Sequence, residues 1–329
     1  MIPLYGFFIK KHVPAPEMVN INLRQVCNSK CMMCYNWKKD SRPKEVLSGR
    51  RWKEILKDIR SSYRDSRISV SFTGSESLLS PDLPDLIAES ERLGFDTWLH
   101  TNGYLVTRQA AQTLRSAGLR NISVSVDSIL PQEHDLMRGI PGALSKAMAA
   151  ISHLHDAGLR NININTVICG VNYASLPLLA DKIEEDTRLS KHTLQAVSKI
   201  FNSSLGDDWY LHCKELWPQD PEDVARVISS IDEKRGRKLV NPRSQLKAFS
   251  RYFRNPETSI RHLGCSVGAR VVNIGPDGNV SICPEMVSGF VSEMPFHKVW
   301  NSKENRAVLK SMDSCAINCH ALVNCAYTD

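Results

Sequence analysis

The sequence predicts an α/β protein: a partial (β/α)6, TIM-like barrel followed by a small cysteine-rich β-hairpin and helix domain. Three observations carry this. Short β-branched segments alternate with helical apolar stripes from residue 17 to about 200, the pattern of a parallel sheet with crossover helices. One unit repeats at forty residues, since Ala117-Gly118-Leu119-Arg120-Asn121-Ile122 returns as Ala157-Gly158-Leu159-Arg160-Asn161-Ile162. Beyond residue 200 the alternation stops, and cysteines return after Leu263.

The candidate strands are Met18–Leu23, Ile68–Phe72, Phe95–His100, Asn121–Val126, Asn161–Val167 and Thr193–Val197. Between them, Trp52, Ile55, Leu56 and Ile59 recur at helical spacing. So do Leu83, Leu86, Ile87 and Leu93, with Pro81 near the first turn, and Leu144, Ala147, Met148, Ile151 and Leu154. Gly94, Gly118 and Gly158 follow helix ends, where a left-handed cap is needed. Six such units leave a barrel open, because closure asks for eight. The chain is expected to divide into a barrel over 1–200, a helical linker over 201–262 and a cysteine domain over 263–329. Pro221-Glu222-Asp223-Val224 opens a helix in the linker. In the last part, Val271–Ile274 and Val280–Ile282 flank the turn signal Gly275-Pro276-Asp277-Gly278-Asn279 and read as a hairpin.

With 329 residues, 42% hydrophobic and 23% charged, the chain has the composition of an ordinary globular protein with ample core. It has no apolar run of eighteen residues, so no membrane span is expected. The stretch from Ile2 to Ile9 is too short for a signal segment, and a cytoplasmic location follows as the expectation. The net charge of +7 is modest. Basic residues gather at Arg235, Arg237, Lys238, Arg243, Lys247, Arg251, Arg254 and Arg261. A solvated helix face is favoured over a nucleic-acid surface, because few aromatics beyond Phe249, Tyr252 and Phe253 interleave with them.

Cys27, Cys31 and Cys34 carry most of the chemistry. Their C-x3-C-x2-C spacing directly follows the first strand, and the next cysteine is Cys169. A disulfide framework is disfavoured in a chain of this length without a secretory signal. A structural zinc site asks for four ligands, and this loop holds three cysteines and no histidine. Three thiolates on one short loop can instead hold three corners of a cubane iron–sulfur cluster, leaving one iron open to a ligand that is not protein.

On these residues the chain resembles the radical S-adenosylmethionine (radical SAM) enzymes. The resemblance implies a 4Fe–4S cluster on Cys27, Cys31 and Cys34, whose open iron chelates the methionine moiety of S-adenosylmethionine. Tyr35, beside Cys34, is counted with the cofactor-binding residues. Thr73-Gly74-Ser75-Glu76-Ser77 resembles the family's Gly-Gly-Glu-Pro segment, with serines in place of one Gly and of Pro. It makes Gly74, Ser75 and Glu76 candidates near the methionine amino group. Asn102 in Thr101-Asn102-Gly103, with Ser125 and Asp127 on the fourth strand, stands where the family binds ribose and carboxylate. Ser125 and Asp127 alternate with Val124 and Val126 and so share a face. Arg138 can offer a carboxylate its bidentate fork, or be an ordinary surface arginine. Val167 to Asn172 lies where the family meets adenine, and Cys169 itself reads as a small buried apolar residue.

Cys265, Cys283, Cys315, Cys319 and Cys325, with Trp300 between the two groups, resemble the SPASM and twitch extensions of that family. This implies one auxiliary 4Fe–4S cluster on Cys265, Cys283 and two of the last three, with His320 as a weaker substitute. Four thiolates also describe a zinc ribbon, and the residues leave that alternative open.

The implied activity is reductive cleavage of S-adenosylmethionine to methionine and a 5′-deoxyadenosyl radical. That radical abstracts hydrogen from an unactivated C–H bond and gives oxidation or epimerisation. A reductase such as flavodoxin or ferredoxin would supply the electron. Cys213 belongs to neither cysteine group and is the candidate hydrogen donor for epimerisation, a structural cysteine being the alternative. Only about 17 residues precede the first strand, so no N-terminal peptide-recognition domain is expected. That favours a small molecule such as a sugar or cyclitol over a ribosomal peptide or protein as substrate. A non-catalytic iron–sulfur or zinc scaffold is the competing class, and it predicts no cofactor cleavage.

Overall fold

The computed structural model describes residues 13–34, 36–37, 46–199, 205–258, 265, 267–268, 270–283, 286–313, 315, 317 and 319–325. Period-two alternation builds its sheet. In β1 (Met18–Ile21), β2 (Ser69–Phe72), β3 (Asp96–Thr101), β4 (Asn121–Ser125), β5 (Asn161–Ile168) and β6 (Lys191–Ala196), Val19, Ile21, Val70, Phe72, Leu99, Ile122 and Ile164 point to one face and are buried. The intervening Asn20, Ser71, Trp98, His100, Ser123, Asn163, Asn165, Val167 and Gln195 share the other face, which is mostly polar and includes the Trp98 indole and Val167. The helices Gly49–Ser62, Leu83–Arg92 and Ala143–Asp156 bury apolar stripes, including Trp52, Leu86 and Ala147, in the same core.

The six strands run parallel in the order β6-β5-β4-β3-β2-β1, as the alternation of elements requires. The forty-residue repeat lands on neighbouring strands. Asn121 pairs in register with Asn161, and their side-chain amides hydrogen-bond. Gly94, Gly118 and Gly158 take φ values of 74°, 95° and 92° behind their helices.

The C-terminal hairpin is not a separate sheet. β7 (Val271–Ile274) pairs parallel with β1, and β8 (Asn279–Cys283) and β9 (Met286–Phe290) continue antiparallel. Among the described residues the sheet therefore holds nine strands. The match is visible in the residues: Met18-Val19-Asn20-Ile21 lies in register with Val271-Val272-Asn273-Ile274, and Asn20 Nδ2 donates to Asn273 Oδ1 at 3.0 Å. Trp300 is buried and donates its indole N–H to Pro14 O at 2.7 Å, tying the C-terminal part to the chain entering β1.

The far edge, β6, is covered by side chains acting as strand substitutes. Asn241 Oδ1 accepts from Leu194 N at 2.7 Å and its Nδ2 donates to Leu194 O at 2.8 Å. Asn324 does the same for Ala196, with both bonds at 2.8 Å. Each amide satisfies one exposed peptide unit that would otherwise offer a pairing edge. The helices Pro221–Glu233 and Arg243–Arg254 bury Val224, Ile228, Phe249 and Tyr252 nearby. Their basic residues meet acids, Arg254 with Glu222 at 2.8 Å and Arg243 with Asp232 at 3.4 Å, as a solvated helix face does. Arg261 lies outside the described residues.

His192 on β6 ties the fold to pH. Its ring is buried, with Nε2 3.0 Å from the Thr166 hydroxyl. Burial lowers its pKa from 6.5 to about 4. The unfolded chain binds a proton first on acidification, so this stability is present above pH 6.5 and lost as pH falls towards 4. A shift of this size is worth roughly 3 kcal/mol. Urea midpoints measured across that window should fall steeply for the native sequence and less so for His192→Gln. Equal slopes would show that His192 does not titrate as described.

Candidate functional site at the strand ends

The loop after β1 carries Cys27, Cys31 and Cys34. It is strapped to the end of the helix Pro131–Arg138 by backbone bonds from Lys30 N to Arg138 O at 3.1 Å and Met32 N to Met137 O at 3.0 Å. Gly139 caps that helix at φ 60° and lies so close to the Lys30 carbonyl that a Cβ has no room. Within the loop, Cys34 N donates to Cys31 O at 3.1 Å, and Trp37 Nε1 donates to the same oxygen at 3.0 Å. Burial pushes the Cys27 thiol up to about 11 and raises Cys31, where the Arg138 guanidinium acts in the opposite direction. Bound metal reverses that preference, because it binds thiolate and releases the proton.

Glu76 is 1% exposed and its carboxylate is fully engaged within the protein. It accepts from Thr101 Oγ1 at 3.0 and 3.1 Å, Asn102 N at 2.9 Å and Leu78 N at 3.2 Å. It therefore holds the β3 end rather than facing outward. Asn102 in turn grips the cysteine loop, donating from Nδ2 to Asn28 Oδ1 at 2.8 Å and Ser29 Oγ at 3.0 Å. Gly74 sits at φ 101°, and a Cβ there would lie 2.5 Å from Asn22 Cγ. Its carbonyl accepts from Asn36 Nδ2 at 2.9 Å. Glu76→Gln puts an NH2 against these donors. It is expected to destabilise the fold by about 1–3 kcal/mol, read as a lower denaturant midpoint.

Asp127 and Arg138 meet each other. Asp127 is 0% exposed, with Oδ2 2.7 Å from Arg138 Nε and Oδ1 accepting from Val167 N at 3.0 Å. Arg138 Nη1 reaches within 3.9 Å of Cys31 Sγ. The pair links β4, β5 and the helix Pro131–Arg138 to the cysteine loop. Ser125 is half-buried opposite Asn165. Tyr35 lies outside the described residues. Five further residues shape the site. Asn22, Asn28 and Asn36 lie in or beside the loop. His134 Nδ1 accepts from Asp127 N at 3.0 Å, and Asn172 Nδ2 donates to Asp127 O at 2.6 Å and Val167 O at 2.9 Å. Loop asparagines are common, so nothing in their spacing marked them.

The site leaves buried polar atoms waiting for partners. Among the described residues, Asn22 Oδ1, Asn28 Nδ2, Ser75 Oγ and Ser77 Oγ are buried without a hydrogen bond, all on the loops after β1 and β2. Such atoms also occur away from the site, at Arg60, Glu91, Ser288 and Asn305, but four on two adjoining loops offer partners to a polar ligand. A molecule bearing an ammonium and a carboxylate beside three thiolates fits this set.

The second cysteine group gathers around the end of β8. Cys265 lies in the field of Cys283 and Cys315, Cys319 in that of Cys265 and Cys283, and Cys325 in that of Cys319 and Cys265. Among the described residues, no three Cys, His, Asp or Glu side chains converge on a single-ion site. His320 is drawn elsewhere: Trp209 Nε1 donates to its Nδ1 at 3.2 Å, and the Tyr252 hydroxyl lies 3.0 Å from the same nitrogen. An indole only donates, so Nδ1 is already occupied as an acceptor. Cys213 ends the short helix Trp209–His212, half-buried against the core.

A model of the radical SAM superfamily matches residues 21–183, and a model of the SPASM iron–sulfur cluster-binding domain matches residues 265–325. The chain belongs to the radical SAM superfamily. As a radical SAM enzyme with a SPASM domain, it uses S-adenosylmethionine, a 4Fe–4S cluster and an auxiliary iron–sulfur cluster. It is similar to the AdoMet-dependent heme synthase of Methanosarcina barkeri, 25% identical over 310 residues, covering 88% of this chain and 83% of that one. It is also similar to the GTP 3′,8-cyclase of Marinobacter nauticus, 26% identical over 310 residues, covering 90% and 88%. The match to the Fe-coproporphyrin III synthase of M. barkeri, 30% identical over 165 residues, spans 50% of this chain and 40% of that relative. In fold it resembles Streptococcus suis SuiB bound to S-adenosylmethionine, with a TM-score of 0.69, 16% identity, and coverage of 94% and 72%. No helix among the described residues is long and apolar enough to cross a membrane.

Proposed function

We propose that this radical SAM enzyme oxidises or epimerises a small, hydroxyl-rich molecule of the sugar or cyclitol kind. The observation that supports this substrate class is the polar strand face, where Asn20, Ser71, Ser123, Asn163, Asn165 and Gln195 offer neutral donors and acceptors. Both amide atoms of Asn163 are buried without partners among the described residues. Hydroxyl groups can answer the buried amide of Asn163 and its polar neighbours.

Cys27, Cys31 and Cys34 would hold the cofactor-binding cluster, and Cys265, Cys283 and two of Cys315, Cys319 and Cys325 the auxiliary one. When bound and reduced, the first cluster supplies the electron that cleaves S-adenosylmethionine and so provides a radical able to take hydrogen from a C–H bond. The chain's own part is placement. Gly74 and Ser75 present backbone and hydroxyl at close range. Asn102 and Ser125 are the candidates for the ribose, and Tyr35, next to Cys34 in sequence, is counted with them. Arg138 keeps guanidinium N–H groups beyond its contact with Asp127 for the cofactor carboxylate. Glu76 and Asp127 hold these residues in position.

The test is anaerobic. Purified protein should carry about eight irons and matching sulfide per chain, as two cubanes require. Reduced by dithionite, or by flavodoxin or ferredoxin, it should convert S-adenosylmethionine to methionine and 5′-deoxyadenosine. No cleavage with both clusters intact would leave only a scaffold role. If the reaction is an epimerisation with Cys213 as donor, product made in deuterium oxide should carry solvent deuterium, and Cys213→Ala should stop product formation with cluster content unchanged.

A further inference from the structure

Most amides on the inward face of the sheet answer one another. Along β5, Asn161 donates to Asn121, which in turn donates to Asp96 Oδ1 at 2.9 Å. Four residues further along the strand, Asn165 Nδ2 donates to Gln195 Oε1 at 3.2 Å. On β1, Asn20 is paired with Asn273. Pairs of this kind need no ligand.

The row between these pairs is different. His100 of β3 lies in register with Ser123 of β4, and Ser123 with Asn163 of β5. Asn163 is 4% exposed, and neither of its amide atoms has a partner among the described residues. His100 is half-buried, and among the described residues nothing hydrogen-bonds its ring. It stacks on Trp98, with centroids 6.5 Å and planes 25° apart, and the Trp98 indole is itself held by Asp96 Oδ2 at 3.0 Å. Burial lowers the His100 pKa, so the ring is neutral and offers one donor and one acceptor. Two residues further along β3, about 7 Å, Asn102 grips the cysteine loop. The row therefore lies deeper than the loops assigned to the cofactor. His100 and Asn163 are two strands apart, about 10 Å, a span that one hydroxyl-bearing ring can bridge between the side chains.

We propose that His100, Ser123 and Asn163 form the floor of the substrate site and that the His100 imidazole binds a hydroxyl of the substrate. This rests on the hydroxyl-rich substrate read above and names the residues that select it. Hydroxyl groups both donate and accept, so they match an imidazole, a hydroxyl and an amide that the fold leaves unanswered.

Diethyl pyrocarbonate tests this on the full-length, cluster-reconstituted protein under anaerobic conditions. A neutral imidazole nitrogen attacks one carbonyl carbon, ethyl carbonate leaves, and peptide mapping locates the ethoxycarbonyl histidine. His100 should react at least about tenfold faster than His134 and His192, which are sealed in the core and react only through opening. The probes are myo-inositol and D-glucose, with binding measured by equilibrium dialysis. A polyol present at about four times its dissociation constant should slow His100 about fivefold. Tetrahydropyran, a ring without hydroxyls, should not. His100→Phe keeps the stacking on Trp98 and should weaken polyol binding roughly fivefold, while His100→Gln, which keeps a donor and an acceptor, should recover part of it. Reaction of His100 no faster than His134, equal shielding by tetrahydropyran, or polyol binding unchanged in His100→Phe overturns the assignment. So does equal shielding by S-adenosylmethionine alone, which would place His100 in the cofactor site. A polyol that binds yet leaves His100 reactive overturns the assignment but leaves the substrate class standing, whereas binding of neither polyol overturns both. 5′-Deoxyadenosine formation by the same preparation reports separately on the radical chemistry.

Discussion

Replacing Cys31 with alanine is expected to abolish S-adenosylmethionine cleavage while leaving half of the iron in place. Cys31 is the buried member of the first triplet, at 8% exposure. Its carbonyl anchors Cys34 N and the Trp37 indole, and its sulfur lies beside Arg138. A cubane held by three thiolates has no spare protein ligand, so one lost sulfur removes the cluster. Iron should fall from about eight to about four per chain, and 5′-deoxyadenosine should drop to background. The mirror variant, Cys283→Ala, should lose a similar amount of iron yet still form 5′-deoxyadenosine, because its sulfur belongs to the other group. The pair separates the two sites: if Cys283→Ala lost cleavage and Cys31→Ala kept it, the assignment of the initiating loop would be reversed.

The parts of this site that were legible in the sequence are those set by local chemistry. Three cysteines within eight residues need no tertiary information to imply a cluster, and the strand periodicity fixes which neighbours share a face. The closure of the sheet was less visible. β7 reads as one arm of a hairpin, and only its register beside β1 shows that Asn273 continues the row begun by Asn20. β9 went unread because its Met286–Phe290 segment contains Gly289 and leaves Val287 and Phe290 exposed, without clean alternation. The direction of polar side chains was least legible. Glu76, Asp127 and Arg138 sit on the expected strand ends and helix, yet Glu76 turns to Thr101 and Asn102, and Asp127 to Arg138. A linear motif gives the position of a carboxylate. Its partner is chosen by residues 25 positions away for Glu76 and 11 for Asp127, where spacing carries no signal. Asn324 is the extreme case, capping Ala196 from 128 positions away.

Asp127→Ala should be the most destabilising single change in the barrel. It removes the anion beside a buried guanidinium and leaves Arg138 charged, because a guanidinium does not give up its proton inside a protein. Breaking one side of such a pair costs roughly 3–5 kcal/mol, more than most single substitutions. The loss spreads, because Asp127 also accepts from Val167 N and Arg138 holds the helix end that straps the cysteine loop. Adding Arg138→Met should recover part of that stability by removing the stranded charge, while S-adenosylmethionine affinity stays lost with the guanidinium. Stability would then recover from the single to the double variant while cofactor binding does not. Measured by denaturant midpoint and by equilibrium binding of S-adenosylmethionine, that divergence identifies Asp127 as a positioning residue for Arg138. A double variant less stable than Asp127→Ala alone would mean that the pair does not act as described, and that Arg138 supports the fold through its packing.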